Sequence, residues 1–261
     1  MRDELEQLLR EAGDLVLSVQ DENKNVTAKE GTANFVTKYD VAVQNLIRKR
    51  LAELRPDAKF VGEEEEARAD IHRGAAFVVD PIDGTTNFIK GCNASAISIA
   101  MLEDGRPVIG AIYDPYRDEL FYAEKGRGAE LNNEPVHAAG TDLSHSLVCM
   151  GTAPYYPELL PATMKLTENL LKNGMDLRRS GSAVIDLCQV ARGSAGLMFE
   201  LRLSPWDHAA AGFIAQEAGA VISQIDGSPA VYDRPCSILC GTKAARADFF
   251  RLGLDKLAEN C

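Results

Sequence analysis

The stretch "AAFVVDPIDGTTNF", residues 75–88, decides how the chain is read. Ala75 to Val79 describe a buried strand, and Asp80 and Asp83 stand at its mouth. A carboxylate that closes an apolar strand has to be paired or coordinated, because an unpaired buried charge is strongly unfavourable. Pro81 biases Asp80 towards an extended conformation and stiffens the turn. Across that turn the two carboxylates can converge on one hard cation, with the carbonyl of Ile82 as a third oxygen. Mg²⁺ takes oxygen ligands, keeps several waters and works beside phosphate. Gly84 lets the backbone come close to an anion, and the amides of Gly84, Thr85 and Thr86 cradle it if they open a helix. The stretch predicts a strand end that holds metal and a following turn that holds phosphate.

Composition sets the frame for that reading. With 261 residues, 46% of them hydrophobic, the chain can bury a full core. Lys and Arg total 28 against 39 Asp and Glu, a formal net charge of −11. No basic run with interleaved aromatics forms a nucleic-acid stripe, so nucleic acid is not expected as the main partner. An acidic balance repels anionic substrates, so a site for one has to carry cations of its own. The amphipathic start "MRDELEQLLREAGDLVLSV" lacks a signal-like apolar core, and no later run is long enough to span a bilayer. The expectation is a cytoplasmic protein without a membrane partner. Cys92, Cys149, Cys188, Cys236, Cys240 and Cys261 show no C-x-x-C pair or zinc spacing and read as reduced packing residues.

Periodicity changes along the chain. Residues 2–20 and 40–54 carry helical spacing, the second segment with Thr37 as N-cap and Asp40 three residues on. From 75 to about 136, runs such as "AISIAML", "VIGAIYD" and "ELFYAE" alternate with turn signals and predict an antiparallel meander. After 145, strands alternate with helices at 157–173, 182–192, 206–218 and 244–259. The expected organisation is one domain over 1–261, an α+β half to about 143 and an α/β half from about 144.

Two further acids sit where a loop or helix start leaves a core element. Glu63 follows a short strand and Gly62, and Asp207 lies in the first turn of a helix. Glu64, Glu65 and Glu66 read as a solvated loop, and Asp207 taken alone reads first as a partner of the helix dipole and second as a ligand. "RRSGSA", residues 178–183, has two readings, a basic rim with the amides around Ser182 and Ala183 near the substrate, or a strand-to-helix turn alone. No G-x-S-x-G, Walker A or G-x-G-x-x-G sequence occurs, and no histidine has an evident nucleophile beside it.

"GEE" at 62–64, "DPIDGTTNF" at 80–88 and "WDHAAAG" at 206–212 resemble, in order and spacing, the three signatures of the inositol monophosphatase family of Mg²⁺-dependent, lithium-sensitive phosphatases. The resemblance implies a five-layered αβαβα sandwich, usually a homodimer. It implies that Glu63, Asp80, the Ile82 carbonyl, Asp83 and Asp207 bind two or three Mg²⁺ ions, with Gly84 and Thr85 on the phosphate. It further implies Lys29 as a loop lysine, Asp40 as the carboxylate behind Thr85, and Glu200 as acceptor of a substrate hydroxyl. Departures lie at Gly91–Ser95, where many members read "FPF", and at His208 and Ala211.

The expected reaction follows from charge. A phosphate dianion repels hydroxide until cations neutralise it and acidify a water. Glu63 and Asp80 then serve the attacking water, and Asp80, Asp83 and Asp207 the leaving alkoxide. Asp40 has two readings, helix cap or acceptor of the Thr85 hydroxyl, and Lys29 either approaches the metal site or decorates a loop. Inositol 1-phosphate or a related polyol or sugar phosphate is the expected substrate. Fructose 1,6-bisphosphate and 3′-phosphoadenosine 5′-phosphate are the alternatives, with a non-enzymatic regulator on the same fold as a different class.

Overall fold

The computed structural model describes residues 1–18, 26–28, 35–65 and 69–258. Helix α1 (Arg2–Leu17) buries Leu5, Leu8, Leu9, Ala12 and Val16, one face at helical spacing. An antiparallel pair, β1 (Val26–Ala28) and β2 (Phe35–Thr37), leads into α2 (Lys38–Leu54). Thr37 caps α2 as its sequence predicts, accepting the amides of Tyr39 and Asp40 on its hydroxyl. The helical reading of residues 19 and 20, like the reading of Lys29, lies outside the described residues.

Next come β3 (Lys59–Gly62), β4 (Ala75–Asp83) and the short α3 (Thr85–Lys90). Strands β5 (Ala96–Glu103), β6 (Arg106–Asp114), β7 (Glu119–Glu124), β8 (Ala129–Leu131) and β9 (Glu134–Val136) follow. They complete a seven-stranded sheet whose order is that of the chain, β3 to β9. The expected meander is present, and β3 adds an edge strand parallel to β4.

The second half holds β10 (Leu147–Met150), α4 (Leu160–Asn173), β11 (Asp176–Arg178), α5 (Ala183–Ala191) and β12 (Leu197–Leu203). After them come α6 (Pro205–Glu217), β13 (Val221–Ser223), β14 (Cys236–Gly241) and α7 (Lys243–Arg251). Its five-stranded sheet has the order β11-β10-β12-β14-β13, with β10 parallel to both neighbours. Two helix boundaries in this half differ from the sequence reading by more than one residue. Residues 157–159 form a 3₁₀ turn ahead of α4, and the last helix stops at Arg251 rather than 259. Gly253, at φ 66°, breaks it with a left-handed residue that continues poorly into a helix, although apolar residues persist beyond.

Strand alternation sorts side chains into layers. Phe77 and Val79 of β4 pack with α1 and α2, while Ala76 and Val78 face the central layer of α5 and α6. On the small sheet, Met198 and Cys240 face that same central layer. Phe199 and Leu239 point the other way, to α4 and α7. The result is the five-layered αβαβα sandwich, with the site where both sheets meet the starts of α3, α5 and α6.

Candidate metal centre

Asp80 and Asp83 are three residues apart, so in a regular strand they would face opposite sides of the sheet. The pairing of β4 with β5 shows why they do not. Asp80 lies opposite Ser98 and Asp83 opposite Ala96, so β4 holds one extra residue, a bulge. Pro81 donates no amide and sits in that bulge. Ile82 is thereby left in the α1/α2 layer while both carboxylates turn towards α5 and α6. One oxygen each of Asp80, Asp83 and Asp207 then lies within 4.8 Å of the others, a group that could hold a metal ion.

Each of these acids is oriented through an oxygen bonded to backbone amides. Asp80 Oδ1 accepts the Ile82 amide at 3.0 Å. Asp83 Oδ2 accepts the Val184 amide at 2.9 Å and the Ser182 hydroxyl, which ties it to the first turn of α5. Asp207 Oδ2 accepts the Ser204 amide at 2.6 Å and so caps its own helix. Asp40 repeats this device on α2. Its Oδ2 accepts the Thr37 amide at 2.7 Å and the Thr37 hydroxyl at 2.5 Å, and its Oδ1 accepts the Thr85 hydroxyl at 3.2 Å. The two readings of Asp40 are both present, one on each oxygen. The Thr85 hydroxyl has a second acceptor in the Ile82 carbonyl, at 3.1 Å.

Crowded like charges in a buried place resist ionisation. Burial first, then Glu63, Asp83, Asp207 and Asp40, hold the Asp80 carboxyl well above the usual range. Burial also pushes Asp83 up to about 6, against the bonds from Ser182, Val184, Ala183 and Gly84 that favour its charge. Asp207 is raised by burial, Asp83 and Glu63. An oxygen-only set of mutually repelling carboxylates matches the chemistry of a hard divalent cation, whose charge would relieve the repulsion. Glu63 stands outside the tightest group and lines the same cavity.

That cavity, of about 430 Å³, also takes in Gly84, Thr85, Thr86, Ser182, Ala183 and Glu200. Gly84 has φ 85°, and a Cβ there would meet the Ala94 and Gly181 carbonyls at 3.0 and 3.3 Å, so its absence lets three loops close together. Ser95, from the departing segment, donates its hydroxyl to the Gly84 carbonyl at 3.0 Å. Ser182 is the N-cap of α5, accepting the Ile185 amide at 3.1 Å while donating to Asp83. Glu200 is 6% exposed, and its Oε1 accepts the Ala153 amide at 2.8 Å. Burial pushes its carboxyl up to about 8. It is not in a surface pair with Arg202, whose guanidinium stacks on Tyr156 at 4.4 Å.

The sequence reading passed over Tyr155 and Asp186, both in this lining, where Arg179 of the RRSGSA segment also stands. Tyr155 is 45% exposed as a residue and lines the cavity, where burial and then Glu63, Asp207, Asp83 and Asp80 raise its phenol. Asp186 is 3% exposed and pushed up to about 7 by burial. The available signal was position: residues after the C-terminal ends of parallel strands such as β10 gather at the crevice of an α/β sheet.

Comparison with known proteins agrees with this geometry. The sequence model of the inositol monophosphatase family matches residues 1–251. The chain belongs to the inositol monophosphatase family. Among curated members, the Nus factor SuhB of Escherichia coli K12 is 34% identical over 220 residues, 84% of this chain and 82% of that one. Among solved structures of the family, the extragenic suppressor protein suhB of Bartonella henselae superposes with a TM-score of 0.88 at 29% identity, covering 99% of this chain and 98% of the other. SaIMPase-II with inositol monophosphate bound gives 0.83 at 27% identity, covering 99% and 98%. The IMPase of Thermotoga maritima gives 0.85 at 27%, covering 97% and 94%. Among the described residues no helix is long and apolar enough to cross a membrane.

Proposed function

We propose that the chain is a Mg²⁺-dependent phosphomonoesterase that hydrolyses inositol 1-phosphate or a related polyol or sugar phosphate. The observation that carries the proposal is the convergence of Asp80, Asp83 and Asp207 in a cavity shared with the Thr85–Asp40 pair. Glu63, Asp80, the Ile82 carbonyl, Asp83 and Asp207 would hold two or three Mg²⁺. When bound, these ions neutralise the phosphate dianion and acidify a water.

The chain's own groups do the rest. Asp40 fixes the Thr85 hydroxyl, so the Thr85 oxygen can accept from the attacking water and pass its proton to Asp40 Oδ1. The amides of Gly84, Thr85 and Thr86 bind the phosphate oxygens. Ser182 and the Ala183 and Val184 amides hold Asp83 in register, and Glu200 accepts a substrate hydroxyl. Lys29 would lie on a loop that approaches the site.

The same reading takes residues 1–261 as one domain with its halves meeting near 143, in a cytoplasmic, lithium-sensitive homodimer with neither a membrane nor nucleic acid as main partner. The Nus factor name of the curated relatives supports a second reading, a regulator whose binding role does not need turnover. Phosphate release with Mg²⁺ on inositol 1-phosphate, fructose 1,6-bisphosphate and 3′-phosphoadenosine 5′-phosphate separates these. The highest kcat/KM is expected on inositol 1-phosphate. Faster release from either of the others changes the substrate class, and no release from any of them removes the enzymatic reading.

A further inference from the structure

Beside the metal centre lies a second cavity of about 300 Å³, at the seam where the turn between β6 and β7 meets β10, β11 and α5. In a chain of formal net charge −11, three arginines line it, Arg117, Arg178 and Arg179. The one carboxyl in that wall is the buried Asp186. A guanidinium has five N–H donors, and each of these arginines uses only part of its set. Arg179 donates to the Thr152 hydroxyl at 3.2 Å and, among the described residues, forms no ion pair. Arg117 places Nη1 on Asp114 at 2.7 Å. Arg178 places Nη1 on Asp176 and on the Leu177 carbonyl, and both members of that ion pair are about half exposed, so it is weakly held.

We infer that this second cavity binds a small phosphate-bearing anion on the forked donors of Arg117, Arg178 and Arg179. Paired N–H groups of guanidinium match the spacing of phosphate oxygens, and three of them around one cavity outweigh the single acid in its wall. The metal centre has the opposite character, since without cations its carboxylates repel any anion. The site also has a route to the reaction. Arg179 and Asp186 belong to the walls of both cavities, and α5 carries Asp186 together with the Val184 amide that holds Asp83. The inference does not depend on the phosphatase reading.

The test uses the full chain stripped of metal on a chelating resin and titrated calorimetrically with orthophosphate, pyrophosphate and glucose 6-phosphate. Saturable binding of at least one is expected. Preference for the inorganic ions assigns free phosphate as the occupant, and preference for the ester assigns a phosphorylated metabolite. Arg178→Gln should weaken that binding about tenfold, the usual effect of losing a charge-assisted hydrogen bond. Ser194→Glu, at an exposed position in the rim of this cavity alone, should weaken it by a similar factor. Both variants should melt within a degree or two of the parent, roughly as surface changes do. Absence of saturable binding in the parent, or undiminished binding in both folded variants, overturns the inference.

Discussion

Asp40→Asn separates the two tasks of one side chain. Asparagine keeps a single acceptor oxygen, and the Thr37 amide at 2.7 Å is the stronger claim on it, because the cap closes an otherwise open helix start. The amide nitrogen then faces Thr85 and accepts nothing, so the Thr85 proton stays with the Ile82 carbonyl at 3.1 Å. Loss of charge weakens the bonds from Thr37 by about 1 kcal/mol in all. Burying a neutral amide is easier than burying a carboxylate whose pKa burial already raises, which offsets part of that. The net effect is a fall in melting temperature of less than about 4 °C. Turnover should fall much further, by about 100-fold or more, the usual scale of a lost proton acceptor. KM should hardly move, since Asp40 touches Thr85 and not the substrate. Thr37→Ala is the control: it removes the hydroxyl cap for about 1 kcal/mol and leaves Thr85 paired with Asp40, so kcat should stay within about threefold. Phosphate release at saturating Mg²⁺ and thermal melts on both variants decide the matter. An Asp40→Asn enzyme that keeps a tenth of its kcat, or two variants whose activities simply track their stabilities, would refute the assignment.

Asp83→Asn should leave a folded protein with no more than a few per cent of parental turnover, checked by phosphate release beside far-ultraviolet circular dichroism. Glu200→Gln keeps an oxygen for the Ala153 amide but exchanges an acceptor for a donor. It should lower kcat/KM on inositol 1-phosphate by roughly 10- to 100-fold and spare p-nitrophenyl phosphate; equal losses on both esters remove Glu200 from substrate recognition. In the metal-stripped protein Asp83, Asp186 and Glu200 have folded pKa values of about 6, 7 and 8, above their unfolded values near 4. The folded state therefore binds more protons between about pH 4 and 8, and stability falls as pH rises through that window. His208, held down to about 3 by burial, acts oppositely below about pH 6.5, where the unfolded chain gains a proton that the folded one refuses. One histidine offsets only one of the three acids, so melts should fall from about pH 4 towards pH 8, and Mg²⁺ should raise the melting temperature more at pH 8.5 than at pH 6; a flat metal-free profile contradicts this. Lithium at millimolar concentration should inhibit, and unchanged rates across a titration count against the proposed metal arrangement.

What the sequence revealed was mostly what neighbours in the chain decide. The strand before Asp80, the Thr37 cap and the turn at Gly84 are local, and each lies where the residue types place it. Asp40 was legible as cap or acceptor but not as both, because one letter does not show which way two oxygens point. Tyr155 and Asp186 reach the site only through the crossovers of the small sheet, and no local pattern marks them. The second cavity draws Arg117 from one sheet and Arg178 from the other, residues far apart in the chain that only the packed layers bring together. The last helix was overextended because apolar residues continue past Gly253, whose left-handed backbone outweighs them.

The bulge at Pro81 makes the length of the strand a piece of information in its own right. Inserting one further residue beside it would leave every acid of the site in the chain. Yet the parity of the remainder would flip, and Asp83 would turn from its partners on α5 into the oily layer beside Tyr39, Val43 and Phe88. A scan of single-residue insertions should find the turns at Asp104–Gly105 and Gly126–Gly128 forgiving and the span from Asp80 to Asp83 intolerant. Two proteins of this lineage could thus share all their acids and differ in activity by the count of residues between them.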